Sequence, residues 1–400
     1  MIAKSIKEAL EALPPEFQTK AANNTLQYIF QAIGHKCLLI VKHKEEIFQI
    51  LLRPSKISNH YRKFLPKTLK NKPNIRLMHC IVKEFKKEEG EDRITLNLFQ
   101  NYEKAGHTLP QGVYLVSPTD VLIYRKNFKD PFYHVTGSTT SPIPLHHPLL
   151  PILAWCGHKD YLDVPIPMID DIQLIKGLES MENSILNVRV AADDVRTYDL
   201  SKIELDFSKK KPLAVFRGSS TGCGWTVETN PRLKAVQLSQ QYPELLDAQV
   251  TTITKGWKIH KTRRAGRILS KDFKEGSKLS FEDQSQYKYI LHLDGNVGAY
   301  RLAQWMLLGS TILLQESGTN LWFQYRLEPW VHYVPIKDGL NDVIEKIQWC
   351  KEHEEECARM ARAARTLALR ILTSEFMYNE LESAIEKAIH ISQTNGKSEK

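Results

Sequence analysis

The sequence predicts an α/β protein in two parts with mostly parallel sheets. Three observations carry this. Short apolar runs rich in β-branched residues alternate with helical patterns along the chain, the mark of strand–helix–strand units. Two of those runs lead straight into small-residue loops, RGSSTG after residues 213–216 and DGNVGAYR after residues 287–293. At 400 residues the chain also exceeds the usual single domain.

The elements follow in order. Residues 1–32 read as helical. Residues 37–41 (CLLIV) and 47–52 (IFQILL) read as short strands, and residues 75–85 and 94–99 as two more. Residues 113–116, VYLV, form a strand ending at Ser117-Pro118-Thr119-Asp120. Residues 125–150 are irregular and contain His146-His147, a pair without the further ligands a metal needs. Residues 152–154 are a strand, and the prolines of DVPIPM at 163–168 keep that stretch extended or turning. Residues 178–190 read as a helix and 201–211 as a charged linker, which sets a domain boundary at 205/206. Leu213-Ala214-Val215-Phe216 is a buried-strand run, and Asn230-Pro231-Arg232 opens a helix with proline at its first position. Residues 287–293 are a strand, 299–308 a helix ended by Gly309, and 311–315 a strand. Residues 342–371 are strongly helical, and 374–391 form a last amphipathic helix. The expected organisation is an N-terminal domain over 1–205, a C-terminal domain over 206–371, and a helix and tail over 372–400 packing back on the N-terminal domain.

Composition narrows the class. Apolar content of 42% and charged content of 25% are ordinary for a soluble globular protein. No segment approaches the roughly 20 apolar residues of a membrane span. The N-terminus lacks an apolar secretion-signal core and the C-terminus a retention tetrapeptide, so a cytoplasmic location is expected. Six cysteines without a CxxC pair read as reduced thiols and argue against structural zinc. The net charge of +9, with clusters at 63–76, 209–211 and 258–267, reads first as a solvated basic surface. Attraction of an anionic substrate such as a nucleotide sugar is a further reading, and nucleic acid is not an expected partner.

The chemistry sits in the loops of the second half. A glycine loop ahead of a helix presents free N–H groups and a positive dipole end, which suits a phosphate. Asp294-Gly295-Asn296-Val297-Gly298 is such a loop, and Arg301 in the first helical turn adds a fixed positive charge. Gly218 and Ser219 let backbone approach a ligand closely, with Arg217 and Ser219 as donors, or else form a plain strand-to-helix turn. Arg232 faces the same loops or is a surface arginine. Glu316, after the strand at 311–315, binds ribose hydroxyls or is a surface acid. His332 in WVHYVP reads as a packed histidine.

The order FRGS, NPR, LLDA, W, YKYILHLDGNVGAYR, LGS and PWVHYVP, from about residue 213 to 365, resembles the CAP10 glycosyltransferases, family 90. That family includes Rumi-type protein O-glucosyltransferases and fungal capsule-type xylosyltransferases. The resemblance implies a GT-B fold: two Rossmann-like domains across a cleft, the acceptor side N-terminal and the UDP-sugar side C-terminal. It implies inverting transfer of glucose or xylose from a UDP-sugar to a hydroxyl of a glycan or protein acceptor, with no cofactor and no metal. The lack of an Asp-x-Asp triplet agrees. By position, Ser219 and Arg232 match donor contacts. The segment Asn296, Val297, Gly298, Ala299 and Tyr300 matches the wrap around the diphosphate, Arg301 its arginine, and Trp257 an aromatic near the donor. Arg217, Gly218, Gly295 and Glu316 complete the expected donor set. LPQGVYLVSPTD lies in register with the segment ending in the catalytic aspartate, which makes Asp120 the general base. Without the resemblance Asp120 reads as a turn or cap residue; Asp130, Asp163 and Asp170 are the alternatives. MIDDI at 168–172 stands where the family carries a tryptophan-rich segment. The competing readings are a non-catalytic sugar-nucleotide or glycan-binding protein on the same scaffold and a basic nucleic-acid binder.

Overall fold

A computed structural model describes residues 1–3, 5–29, 37–52, 88–117, 148–191, 194–222, 224–254, 258–259 and 265–394. Asp120, Asp130, Trp257, the His146-His147 pair and the strand expected at 75–85 lie outside the described residues. Two compact units emerge, Met1–Pro167 with Tyr378–Lys400, and Met168–Met377. The division falls upstream of the 205/206 linker because the stretch before that linker is fastened to the second unit. The Asp199 amide donates to Glu282 Oε1 at 2.9 Å and the Glu204 amide to Ser285 Oγ at 3.1 Å. No helix among the described residues is long and apolar enough to cross a membrane.

The first unit carries a six-stranded sheet. Its strands are β1 (Ile2–Ala3), β2 (Cys37–His43), β3 (Glu46–Leu52), β4 (Gly112–Ser117), β5 (Ile152–Ala154) and β6 (Val164–Pro165), in the order β1-β3-β2-β4-β5-β6. β2 runs antiparallel to both neighbours, and the other pairs are parallel. The two-residue turn Lys44-Glu45, with Lys44 at φ 53°, closes the β2–β3 hairpin and makes this sheet mixed. The near-unbroken apolar run of β2 reflects burial on both faces. Helices α1 (Ile6–Glu11) and α2 (Lys20–Tyr28) bring Ala9 and Leu26 onto the core of Leu39, Val41, Leu52 and Leu115. Ser5 and Thr19 cap them by accepting from the amides of Glu8 and Ala22. The single helical N-terminus read from sequence is thus two helices, broken at Pro14-Pro15. The strand expected at 94–99 is also overturned: it lies inside α3 (Glu88–Lys104). ITLNLF alternates locally, but the buried residues Thr95, Leu98, Phe99 and Tyr102 follow the i, i+3, i+4, i+7 rule of a helix.

The second unit opens with α4 (Ile169–Glu179) and the hairpin β7 (Ile185–Ala191) and β8 (Asp194–Asp199). The helix expected over 178–190 is therefore corrected. Asn183 and Ser184 take left-handed φ of 50° and 63°, which no helix tolerates, and Leu186 and Val188 bury alternate positions of a strand. Next comes a five-stranded sheet of β9 (Lys211–Ser219), β10 (Leu246–Thr252), β11 (Tyr287–His292), β12 (Thr311–Glu316) and β13 (Tyr333–Lys337). Its order is β10-β9-β11-β12-β13 and every pairing is parallel. The helices are α5 (Pro231–Gln241), α6 (Phe281–Ser285), α7 (Leu302–Met306), α8 (Val343–Glu352), α9 (Glu354–Ile371) and α10 (Ser374–Thr394), the last passing into the first unit at Tyr378. Phe216, Leu291, Leu313, Val334 and Ile347 form its core; each such side chain stabilises the fold by roughly 1.5–3 kcal/mol. The chain is α/β, and its second unit is built on an all-parallel, doubly wound sheet.

Candidate active site

The strand order of the second sheet points to the site. β10 lies on one side of β9, and β11, β12 and β13 on the other, so the connections run in opposite directions from the gap between β9 and β11. In such sheets ligands bind beyond the carboxyl ends of the strands at this switch point. The two loops that the sequence singles out leave the sheet here: Gly218-Ser219 ends β9, and Leu293-Asp294 follows β11.

Arg232 fastens the two loops together. Asn230 caps α5 by accepting from the amides of Arg232 and Leu233, and donates from Nδ2 to the Ser220 carbonyl at 3.2 Å. Arg232 is 5% exposed. Its Nε donates to the Asp294 carbonyl at 2.9 Å and one terminal nitrogen to the Leu293 carbonyl at 2.9 Å. The other donates to the Ser219 carbonyl at 3.0 Å and Thr221 Oγ1 at 2.7 Å. Buried carbonyls need donors, and one guanidinium supplies them to both loops.

Asp294 shapes the second loop. Its Oδ1 accepts from the Ala299 amide at 2.8 Å, and its Oδ2 accepts from the Ser317 hydroxyl. Gln315 Oε1 accepts from the Asp294 amide at 2.9 Å, and Asn296 Oδ1 from the Gly222 amide at 3.1 Å. Val297 and Ala299 anchor the loop with buried side chains. The amides of Gly295 and Ala299 are spent inside the loop. Those of Asn296, Val297 and Gly298 have no partner among the described residues. The helix expected over 299–308 shrinks to the five residues of α7, flanked by turns, and Gly309 ends it at φ +63°. The cradle is thus a loop of open amides rather than a long helix dipole.

Arg301 is the N-cap of α7. One terminal nitrogen donates to the Arg217 carbonyl at 2.9 Å, reaching from the β11 side to β9, and the guanidinium lies 4.6 Å from the Trp305 ring. Gly218 makes room for it: a Cβ there would stand 3.1 Å from that nitrogen and 2.9 Å from the Phe216 ring. Burial, with Arg196 beside it, pulls the Arg301 pKa down to about 10, so it stays charged at neutral pH. His292 is the opposite case. Burial drives its pKa down to about 3, and its Nε2 donates to the Ala299 carbonyl at 3.0 Å, so it is a neutral fastener of the loop.

The other expected residues divide. Ser219 and Thr221 share a hydroxyl contact of 3.0 Å within the first loop. Arg217 points its side chain away, onto Asp247 at 2.8 Å and the Ser277 carbonyl at 3.1 Å, and offers the site only its carbonyl. Glu316 is exposed at the end of β12 and makes no hydrogen bond among the described residues. Arg196 and Tyr198 on β8 were missed by the sequence reading; both lie in the electrostatic surroundings of Arg301. Only a strand assignment at 185–199 with an arginine on it could have pointed to them. Asp170 lies in the first turn of α4; burial raises its pKa, and the charges of Arg196 and Arg301 oppose the rise. Asp171 beside it is fully buried; its Oδ2 accepts from Trp322 Nε1 at 2.7 Å and its Oδ1 has no partner.

Comparison with known proteins agrees with this geometry. The model of glycosyl transferase family 90 matches residues 136–387. The uncharacterized protein 179R of Invertebrate iridescent virus 6 is 30% identical over 351 residues, 77% of this chain and 29% of that protein. Human protein O-glucosyltransferase 3 is 31% identical over 252 residues, 63% of this chain and 43% of the relative. The chain thus spans less than half the length of either. Anabaena Alr3699/HepE, solved in complex with UDP, aligns at a TM-score of 0.30 and 12% identity, over 46% of this chain and 52% of that one; so low a score adds nothing to the topology. With the matched residues covering the switch-point loops, Arg232 and Arg301, the chain belongs to glycosyl transferase family 90.

Proposed function

We propose that the chain transfers a sugar, glucose or xylose, from a UDP-sugar to a hydroxyl of a glycan or protein acceptor. The observation that carries this is Arg301, a charged guanidinium held by the Arg217 carbonyl and Trp305 beside the open amides of Asn296, Val297 and Gly298. That set suits the diphosphate and the negative charge that grows on it as UDP departs. In the inverting reaction the acceptor oxygen attacks the anomeric carbon as the bond to the β-phosphate breaks. The electron pair leaves with UDP, and the hydroxyl proton passes to a base. Asp120 takes that role on the family register. Arg301 and the loop amides carry the leaving-group charge in this reading, with no metal needed.

The test is binding first, then turnover. UDP at about 100 times its Kd should stabilise the protein by about 2.7 kcal/mol, read as a rise of several degrees in Tm. A panel of UDP-sugars then identifies the donor by thermal shift and by hydrolysis. Arg301→Ala should abolish the Tm rise and lower transfer by about 100-fold or more. Asp120→Asn should keep the Tm rise and lose transfer by about 100-fold or more. A Tm unmoved by saturating UDP would sink the donor site. Transfer that EDTA abolishes would sink the metal-free mechanism, and UDP binding without transfer under any condition would favour a binding protein.

A further inference from the structure

The WVHYVP motif carries a strained and exposed tryptophan. Trp330 has a φ of 64°, a left-handed value that crowds the Cβ and is an outlier for so bulky a residue. The turn around it enforces that value. The Trp330 amide donates to the Tyr333 carbonyl at 2.7 Å, and the Val331 and His332 amides donate to the Glu328 carbonyl at 3.2 and 3.0 Å. The Glu328 amide donates to His332 Nδ1 at 3.1 Å. The indole held this way is 43% exposed. Its inner side rests on α8: the Trp349 ring lies 4.9 Å away at 75°, and Lys346 Nζ lies 4.9 Å from the Trp330 ring centroid. Trp349 is itself stacked on His353 at 4.4 Å. Lys346 and Trp349 are three residues apart on one helix face, so they meet the indole from the same side, and the exposed part is the other face.

Trp330 stands just ahead of β13, at the amino end of the second sheet. β13 runs parallel to β12, and the switch-point loops leave the carboxyl ends. A strand length of about 17 Å therefore separates the indole from those loops. Area, charge and hydrogen bonding decide what fits it. A tryptophan offers about 150–250 Å² in all, so its exposed part is on the order of 100 Å², far short of the roughly 800 Å² per partner in a stable protein interface. Lys346 pairs with no carboxylate and makes no side-chain hydrogen bond among the described residues. Glu345 beside it and Glu328 on the turn are exposed acids, so the patch has no cationic surplus to draw a phosphate chain or an anionic membrane. A small neutral ligand fits, with an apolar face for the indole and hydroxyls for the Lys346 ammonium. A pyranose ring has both: its C–H bonds line a face that meets the negative face of the indole, and its hydroxyls point out from the rim. We propose that Trp330 is a stacking platform for one ring of a neutral glycan, a binding site apart from the donor loops and without chemistry of its own. It does not rest on the UDP reading.

Xylotriose, cellotriose and maltotriose, titrated into the full chain and followed by calorimetry, test this, with UDP and a hexauridylate strand alongside. At least one trisaccharide should bind, and Trp330→Ala should lower its affinity about 10-fold or more, the usual effect of removing a central aromatic contact. Hydroxyl-radical footprinting of the wild-type chain needs no variant and covers the case in which Trp330→Ala does not fold. Saturating trisaccharide should shield Trp330 and leave Tyr325, 60% exposed, as reactive as before. Binding of no trisaccharide overturns the proposal, and so does binding that Trp330→Ala leaves intact or that leaves Trp330 unshielded. Shielding of Trp330 by hexauridylate in place of the saccharides overturns it in favour of a nucleic-acid ligand. A chain that binds a trisaccharide at Trp330 but not UDP would sink the donor-site reading and leave this site standing.

Discussion

Arg232 and Arg301 look alike in the sequence, and their hydrogen bonds separate them. Arg232 spends three nitrogens on carbonyls and a hydroxyl of the two loops, so it positions the site rather than contacting the ligand. Arg232→Lys leaves several buried acceptors unpaired, at roughly 1–3 kcal/mol each. The variant should melt several degrees lower, with UDP affinity falling as a consequence. A calorimetric Tm equal to wild type, alongside lost UDP binding, would make Arg232 a direct contact instead. Asp171 gives a residue-scale prediction about pH. Burial lifts its pKa to about 7 in the folded chain, from the ordinary value of 3.8, with Asp170 adding to the rise and Trp322 opposing it. The folded state therefore holds a proton that the unfolded state has released. The Asp171 contribution is whole below about pH 4 and is lost as pH rises to about 7, on the order of a few kcal/mol. Asp171→Asn should flatten that fall: relative to wild type, its Tm should improve between pH 5 and pH 8. A wild-type Tm that does not decline any faster than the variant's over that range would refute the linkage.

At the scale of elements, the sequence reads well where burial writes a simple period and poorly where it does not. The mostly apolar β2 and the parallel core strands β9, β11 and β12 are legible because both their faces are covered. The helix at Glu88–Lys104 reads as a strand because Ile94, Leu96 and Leu98 alternate, and Tyr102 is needed to complete the helical stripe. The site divides the same way. Its glycines and arginines are visible as letters, but Arg196 lies on a hairpin whose strands carry no ligand signature, and Arg217 turns its side chain onto Asp247 beside it on β10. Gly218 tests the element-scale packing. In Gly218→Ala the new methyl meets the Phe216 ring and the Arg301 guanidinium, and the guanidinium is the one able to give way. UDP affinity should fall about 10-fold or more through displacement of a charged contact, while Tm without ligand changes by a few degrees at most. Normal UDP binding in this variant would mean that Arg301 does not need its present place.

For the whole molecule, the order β10-β9-β11-β12-β13 does more than any motif, because it puts both loops at one switch point inside Met168–Met377. The chain then returns Tyr378–Lys400 to the first unit. There Leu381, Ile385 and Ala388 are buried, His107 Nδ1 meets Glu382 at 3.3 Å, and Ser392 donates to the Leu149 carbonyl. Removing these apolar side chains withdraws several kcal/mol of burial, a large part of the 5–15 kcal/mol that holds an ordinary domain. A chain ended after Met377 should therefore lose the first unit and keep the second. Hydrogen exchange should show protection lost in Cys37–His43 and Glu46–Leu52 and retained in Lys211–Ser219 and Tyr287–His292. UDP should still raise the melting point of the remaining unit, because every described donor-site residue lies within it. Sugar transfer should vanish, because the proposed base, Asp120, belongs to the unit that unfolds. Loss of UDP binding together with transfer would show that the donor site depends on the first unit.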